Sequence, residues 1–171
     1  MVVRADLLPG QQDLHNFMFD SWSVQANVHF EVDVDDCGDQ PYDKSGEGYL
    51  DIHAPGTTTL TDEERWLHGY TSLRGAQDYK VAAVRQFNQS ADGLQQGDSL
   101  GYALPGGIAF IHTYTNRNKL HTIGHEVGHL LLRLSKADHN DSTQLNLMNA
   151  RNWEPEKPEI RFKEWDYLQL H

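Results

Sequence analysis

His125-Glu126-Val127-Gly128-His129 is the stretch whose reading decides the fold. On an α-helix, side chains four residues apart stand one turn above each other, so both imidazoles can reach one ion. The glutamate after the first histidine then sits where a general base for a zinc-activated water belongs. With ten histidines in 171 residues, chance alone yields such a motif about three times in a hundred, so its surroundings must decide. They favour a buried helix. The residues beyond His129 include Leu130, Leu131, Leu132 and Leu134, apolar on nearly all sides, as expected of a helix through a domain centre. A carboxylate in such a helix is costly unless a metal or partner compensates it, so Glu126 has almost no purely structural use.

Composition bounds the rest. A chain of 171 residues fits one domain spanning 1–171 and can bury a real core without disulfides. Its apolar fraction of 38% is modest but globular. A net charge of −11 would repel nucleic acid, which excludes that class of partner. The acid is concentrated at Glu31, Asp33, Asp35 and Asp36 and continues through Asp39, Asp43, Glu47 and Asp51. A solvated acidic loop is the first reading; calcium is the second, because clustered carboxylates suit hard cations, although EF-hand spacing is absent. The lone Cys37 can form no internal disulfide, and its acidic neighbours disfavour a thiolate, so it reads as an ordinary free thiol. No stretch resembles a membrane span, and the opening residues lack the pattern of a secretory signal. Compartment is therefore unassigned, and a piece of a longer secreted or delivered bacterial protein would read the same way.

Periodicity outlines an α+β fold. Leu14, Phe17 and Met18 mark a helix over 10–20, and strict alternation over 24–34 marks a half-buried strand. Residues 37–59 are rich in Gly, Pro, Asp and Thr and read as a long loop with a short strand at 49–52. Thr61 with Glu64 forms a capping box for a helix reaching Leu73, before Gly75. Strands are expected over 79–87 and, after Gly106-Gly107, over 108–114. Asn116 or Asn118 caps the helix that begins near Lys119 and carries the motif. Leu147-Met148-Asn149 follows a polar stretch, and a closing helix over 159–170 is anchored by Ile160, Trp165 and Leu168.

A catalytic zinc takes three protein ligands and keeps one position open. His125 and His129 supply two. If the helix runs on to Leu134 it rises about 7.5 Å past His129, and the five residues to His139 can span roughly 17 Å back. His139 is the leading third ligand, its neighbour Asp138 is the alternative, and Glu154 is a remote third option. His121, one turn before His125, is followed by Thr122 and so lacks a base; it reads as a surface or supporting histidine of the first turn.

These pieces together resemble a metzincin, a zinc-peptidase clan with HExxH, a later third ligand and a methionine-containing turn below the metal. Gly107, Ile108, Ala109 and Phe110 resemble the edge strand that holds extended substrate; Leu147-Met148-Asn149 resembles the Met-turn, and 159–170 the closing helix. The likeness is best over 79–170. It implies a mixed twisted sheet, an upper half over about 1–129 and a lower half over about 130–171. It also implies an apolar floor at Met148. The clan's usual pattern is HExxHxxGxxH, whereas this chain has Leu132 and Ser135 at the later positions and a histidine four residues late. That spacing equals one inserted helical turn. Ala150 stands where a tyrosine is usual.

The function so implied is zinc-dependent endopeptidase activity. Glu126 would be the base, His125, His129 and His139 (or Asp138) the ligands, and an extended polypeptide on Gly107–Phe110 the substrate, aligned by β-augmentation. Two alternatives have other chemistry: a zinc hydrolase of a non-protein amide, and a non-catalytic module that keeps the fold and binds a protein or ion.

Overall fold

The computed structural model describes residues 2–3, 11–23, 34–35, 42–54, 57, 59–73, 79–88, 101–104, 107–113, 119–131 and 147–148. They form an α+β fold around one mixed sheet. Its strands are β1 (Val2–Val3), β2 (Val34–Asp35), β3 (Lys80–Val84), β4 (Gly101–Leu104) and β5 (Ile108–His112). The order is β2-β1-β3-β5-β4, with every pairing parallel except that of β4 with β5. Three helices accompany it: α1 (Gln11–Met18), which continues as a wider π-turn over Phe19–Ser23, α2 (Asp62–Leu73) and α3 (Lys119–Leu131).

Alternation along the strands divides the core in two. Val81 and Ala83 of β3 and Ala109 and Ile111 of β5 face α1 and α3, packing with Leu14, Met18, Trp22, Ile123, Val127 and Leu130. Ala82, Val84, Ile108 and Phe110 face the other way, toward Leu67 of α2 and Leu50, Ile52, Phe87 and Tyr102. Helical cover on both faces explains why β5 is buried at every position. Each fully buried Leu, Ile or Phe contributes about 1.5–3 kcal/mol of transfer free energy. The motif helix is therefore clamped against the sheet, and residues on it have little freedom to move.

The start of α2 is built as its spacing predicts. Thr61 Oγ1 accepts the Glu64 N–H at 3.1 Å while the Glu64 carboxylate accepts the Thr61 N–H at 2.7 Å, which satisfies two otherwise orphaned donors. Glu63 reaches sideways instead, accepting the N–H groups of Lys44 and Asp51 at 2.8 and 2.7 Å. Those contacts tie the loop over residues 42–54 to the helix.

The strand following Gly107 is where expectation and structure part. β5 begins at Ile108, one residue after a glycine with φ of +86°, and pairs on one side with β3 and on the other with β4. Ile108, Ala109 and Phe110 thus lie inside the sheet, and Gly107 is in the turn that joins the two strands. None of them offers a free edge to a substrate. Among the described residues the outer edge on this side belongs to β4, Gly101–Leu104, which runs antiparallel to β5. Leu104 opposite Ile108 leaves three residues between the strands, a length for which a glycine in the left-handed region is the usual solution.

Residues 24–33 of the expected alternating strand lie outside the described residues; the structure has β2 at Val34–Asp35. The closing helix over 159–170 lies outside them too. Among the described residues no helix is long and apolar enough to cross a membrane.

Candidate metal centre

Helix α3 carries Ile123, Val127 and Leu130 on its sheet side, which fixes its rotation about its own axis. A second contact fixes its height. Gly124 and Gly128, one turn apart, leave a shallow groove on the helix that α1 and the π-turn fill. A Cβ at Gly124 would come within 2.7 Å of a Phe17 ring carbon, and one at Gly128 within 2.7 Å of the Trp22 ring. The Trp22 indole N–H donates to the Gly124 carbonyl at 3.1 Å. The two unspecified positions of the HExxH motif are thereby explained: Val127 is core, and Gly128 admits a neighbouring ring.

With the helix so held, His125 and His129 bring their Nε2 atoms to 3.1 Å of each other, with ring centroids 4.8 Å apart and planes at 80°. Two nitrogens on one tetrahedral zinc, each at about 2.0–2.1 Å, lie about 3.3 Å apart. The pair therefore fits a shared divalent ion. A direct hydrogen bond from one ring to the other spans the same distance. His125 Nδ1 lies 2.7 Å from the Leu147 carbonyl oxygen. A carbonyl only accepts, so Nδ1 carries the proton and Nε2 presents its lone pair. That is the tautomer a metal ligand requires.

Leu147 and Met148 are brought against α3 from 22 residues beyond His125 in the chain. Both are buried, and a Cβ on Gly128 would collide with the Met148 sulfur. Met148 thus underlies the turn of helix between the two histidines, packed on Gly128 and Trp22. His121 is buried as well, which corrects the surface reading of that residue. Its ring lies 6.2 Å from that of His125, nearly parallel to it, and burial lowers its pKa from 6.5 to about 4.

Glu126 is buried and turned toward the sheet edge. A Cβ built on Gly101 would stand 2.8 Å from both Cγ and Oε1 of Glu126. The next residue of that strand, Tyr102, points to the opposite face and donates its hydroxyl to Glu64 Oε1 at 2.6 Å. Burial raises the Tyr102 phenol well above its ordinary value of 10, reinforced by the charge of Glu64, the hydrogen bond to it, and the charge of Glu126. His53 Nδ1 meets the same Glu64 oxygen at 2.8 Å. Residues 101–104 escape notice in the sequence because the strand is only four residues long. The signal available was alternation of small Gly101 and Ala103 with large Tyr102 and Leu104 just before a Pro-Gly-Gly turn.

The remaining expected ligands, His139, Asp138 and Glu154, lie outside the described residues, as does Cys37. Among the described residues no group of three or more His, Cys, Asp or Glu side chains is arranged to hold a metal. Of the acidic stretch, Asp43 has its carboxylate occupied by loop donors: the N–H groups of Gly46, Glu47 and Gly48 and the Ser45 hydroxyl, at 2.6–3.1 Å. Burial opposes its ionisation, but these four hydrogen bonds outweigh it and lower its pKa. Asp51 accepts from Asn88 at 2.6 Å. Asp43 thus serves its own loop, and Asp51 joins the loop to Asn88 beyond β3. The chain matches no known protein family, no curated protein and no solved structure.

Proposed function

We propose that this protein is a zinc-dependent endopeptidase of metzincin type. The observation that carries the reading is the convergence of His125 and His129 Nε2 at 3.1 Å, beside a buried Glu126 on the same helix. His125 and His129 would hold the ion, with His139 or Asp138 as the third ligand. Zinc, when bound, would polarise a carbonyl and lower the pKa of water so that a base can deprotonate it near neutral pH. Glu126 is the general base: its carboxylate accepts the proton from the attacking water and delivers it to the departing amine nitrogen. The Leu147 carbonyl keeps His125 in the metal-binding tautomer, and Met148 supplies a dry, apolar floor.

Substrate alignment falls to β4 in place of the strand first expected. Gly101–Leu104 is the sheet edge beside Glu126, and an extended peptide added there gains backbone hydrogen bonds with little demand on its sequence.

The test is a metal assay joined to cleavage of an unfolded protein. Purified protein carries one zinc per chain, cleaves the substrate, and stops when zinc is chelated. Glu126→Gln retains the zinc and loses about two to four orders of magnitude in kcat. Full turnover by that variant, or purified protein that neither holds zinc nor takes it up, overturns the reading.

A further inference from the structure

We propose that Gly101 is a positioning residue for Glu126: the space where its Cβ would be is the seat of the Glu126 side chain, and strand β4 sets the direction of that carboxylate. The inference rests on the peptidase reading for its catalytic consequence, but its geometry stands apart from it.

A glycine inside a strand weakens the strand and marks a close approach by something else. Here that something is Glu126, whose Cγ and Oε1 lie 2.8 Å and Cδ 3.0 Å from the position of an added Cβ. Real Cβ atoms do not tolerate such contacts, so one partner must move. The backbone of Gly101 is hydrogen-bonded into the sheet opposite Ile111 and cannot yield cheaply. It is also pinned from behind. Tyr102 donates to the buried Glu64, stacks on Phe110 at 5.1 Å and meets Phe87 edge-on at 5.3 Å. The Glu126 side chain is the only flexible party. Gly101 has no left-handed φ, so an alanine there acts only by displacing Glu126, and backbone strain plays no part. The edge that would align a peptide and the base that would take the proton from the attacking water therefore meet where Glu126 rests on Gly101.

Gly101→Ala tests this, with Gly69→Ala as a control at a helical glycine that has nothing within 4 Å. Expected for Gly101→Ala are unchanged zinc content, KM within about threefold, and kcat lowered about ten- to a hundredfold, the scale of a misplaced catalytic group. Glu126→Asp, one methylene shorter, should impair the parent protein yet cost nothing further in the Gly101→Ala background. Stability gives a readout free of activity: Gly101→Ala should lower Tm when Glu126 is present and cost little in a Glu126→Ala background. Wild-type kcat in zinc-loaded Gly101→Ala overturns the proposal and leaves the peptidase reading intact. Additive Tm effects of Gly101→Ala and Glu126→Ala overturn it as well. If Gly101→Ala fails to fold but Gly101→Ala with Glu126→Ala folds, the seat is supported; if neither folds, the glycine serves something else and the proposal fails. Should the parent protein bind no zinc and cleave nothing, the peptidase reading falls with the catalytic role, and the Tm coupling alone decides whether the seat exists.

Discussion

Trp22 donates its indole N–H to the carbonyl of Gly124, 102 positions later in the chain, at 3.1 Å, and no part of Trp22 is exposed. This one contact joins the end of the first helical segment to the residue immediately before the HExxH motif. It sets where along its axis the motif helix rests.

Trp22→Phe removes the donor and part of the ring while leaving an aromatic side chain in the groove. A lost buried hydrogen bond and a small cavity together cost about 1–3 kcal/mol. Urea unfolding should show a lower midpoint with an unchanged slope. A variant as stable as the parent would mean that the groove over Gly124 and Gly128 is not what holds α3.

Two helical glycines should respond in opposite directions to the same change. Gly69 on α2 has nothing within 4 Å of an added Cβ, so Gly69→Ala should gain up to about 1 kcal/mol from helix propensity. At Gly128 the same methyl meets the Met148 sulfur and the Trp22 ring, and overpacking of about 1–3 kcal/mol outweighs the propensity gain. Differential scanning calorimetry on the two variants checks the sign. A stabilised Gly128→Ala would show that Met148 and Trp22 do not occupy the space beneath the histidines.

How far the sequence carries is itself set by range. The capping box at Thr61 and Glu64 and the helix around His125–His129 were legible because each is written within a few residues, in cap chemistry and in 3.6-residue periodicity. The apolar run at Ile108–Ile111 announced a buried strand equally well. Which strand stands at the sheet edge was not legible, since that depends on how the strands pair and the four-residue strand Gly101–Leu104 carries too short a pattern to announce itself. The burial of His121 was hidden for a related reason: a histidine in the first turn of a helix carries no local mark of what covers it. Gly101 shows the limit most clearly. Its meaning lies in a side chain 25 positions away, on another element.

Acid should loosen the metal-free fold through His121. Its pKa falls from 6.5 to about 4 on burial, so between those values the unfolded chain binds a proton that the folded chain refuses. Stability from this group is complete above about pH 6.5 and declines as pH drops toward 4, by at most roughly 3 kcal/mol. Urea unfolding in chelator at pH 7.5 and 4.5 measures the slope, and His121→Gln should flatten it relative to the parent. An identical pH dependence in the two proteins would mean that His121 is accessible to solvent in the fold.

Zinc should stabilise the folded chain if the two imidazoles are a site, because the unfolded chain cannot keep His125 and His129 Nε2 3.1 Å apart. At a free zinc concentration a hundredfold above Kd, the gain is about 2.7 kcal/mol, less whatever the unfolded histidines retain. Thermal unfolding with buffered zinc should give a Tm that climbs with the logarithm of zinc concentration and falls back on chelation. His129→Ala should abolish the climb, since it removes one of the two converging nitrogens. Glu126→Gln should preserve it, because the carboxylate is assigned to proton transfer and not to the ion. The contrast between these variants separates ligand from base without any substrate. A Glu126→Gln protein that loses the zinc-dependent rise would move Glu126 into the ligand set and remove it from the role of base.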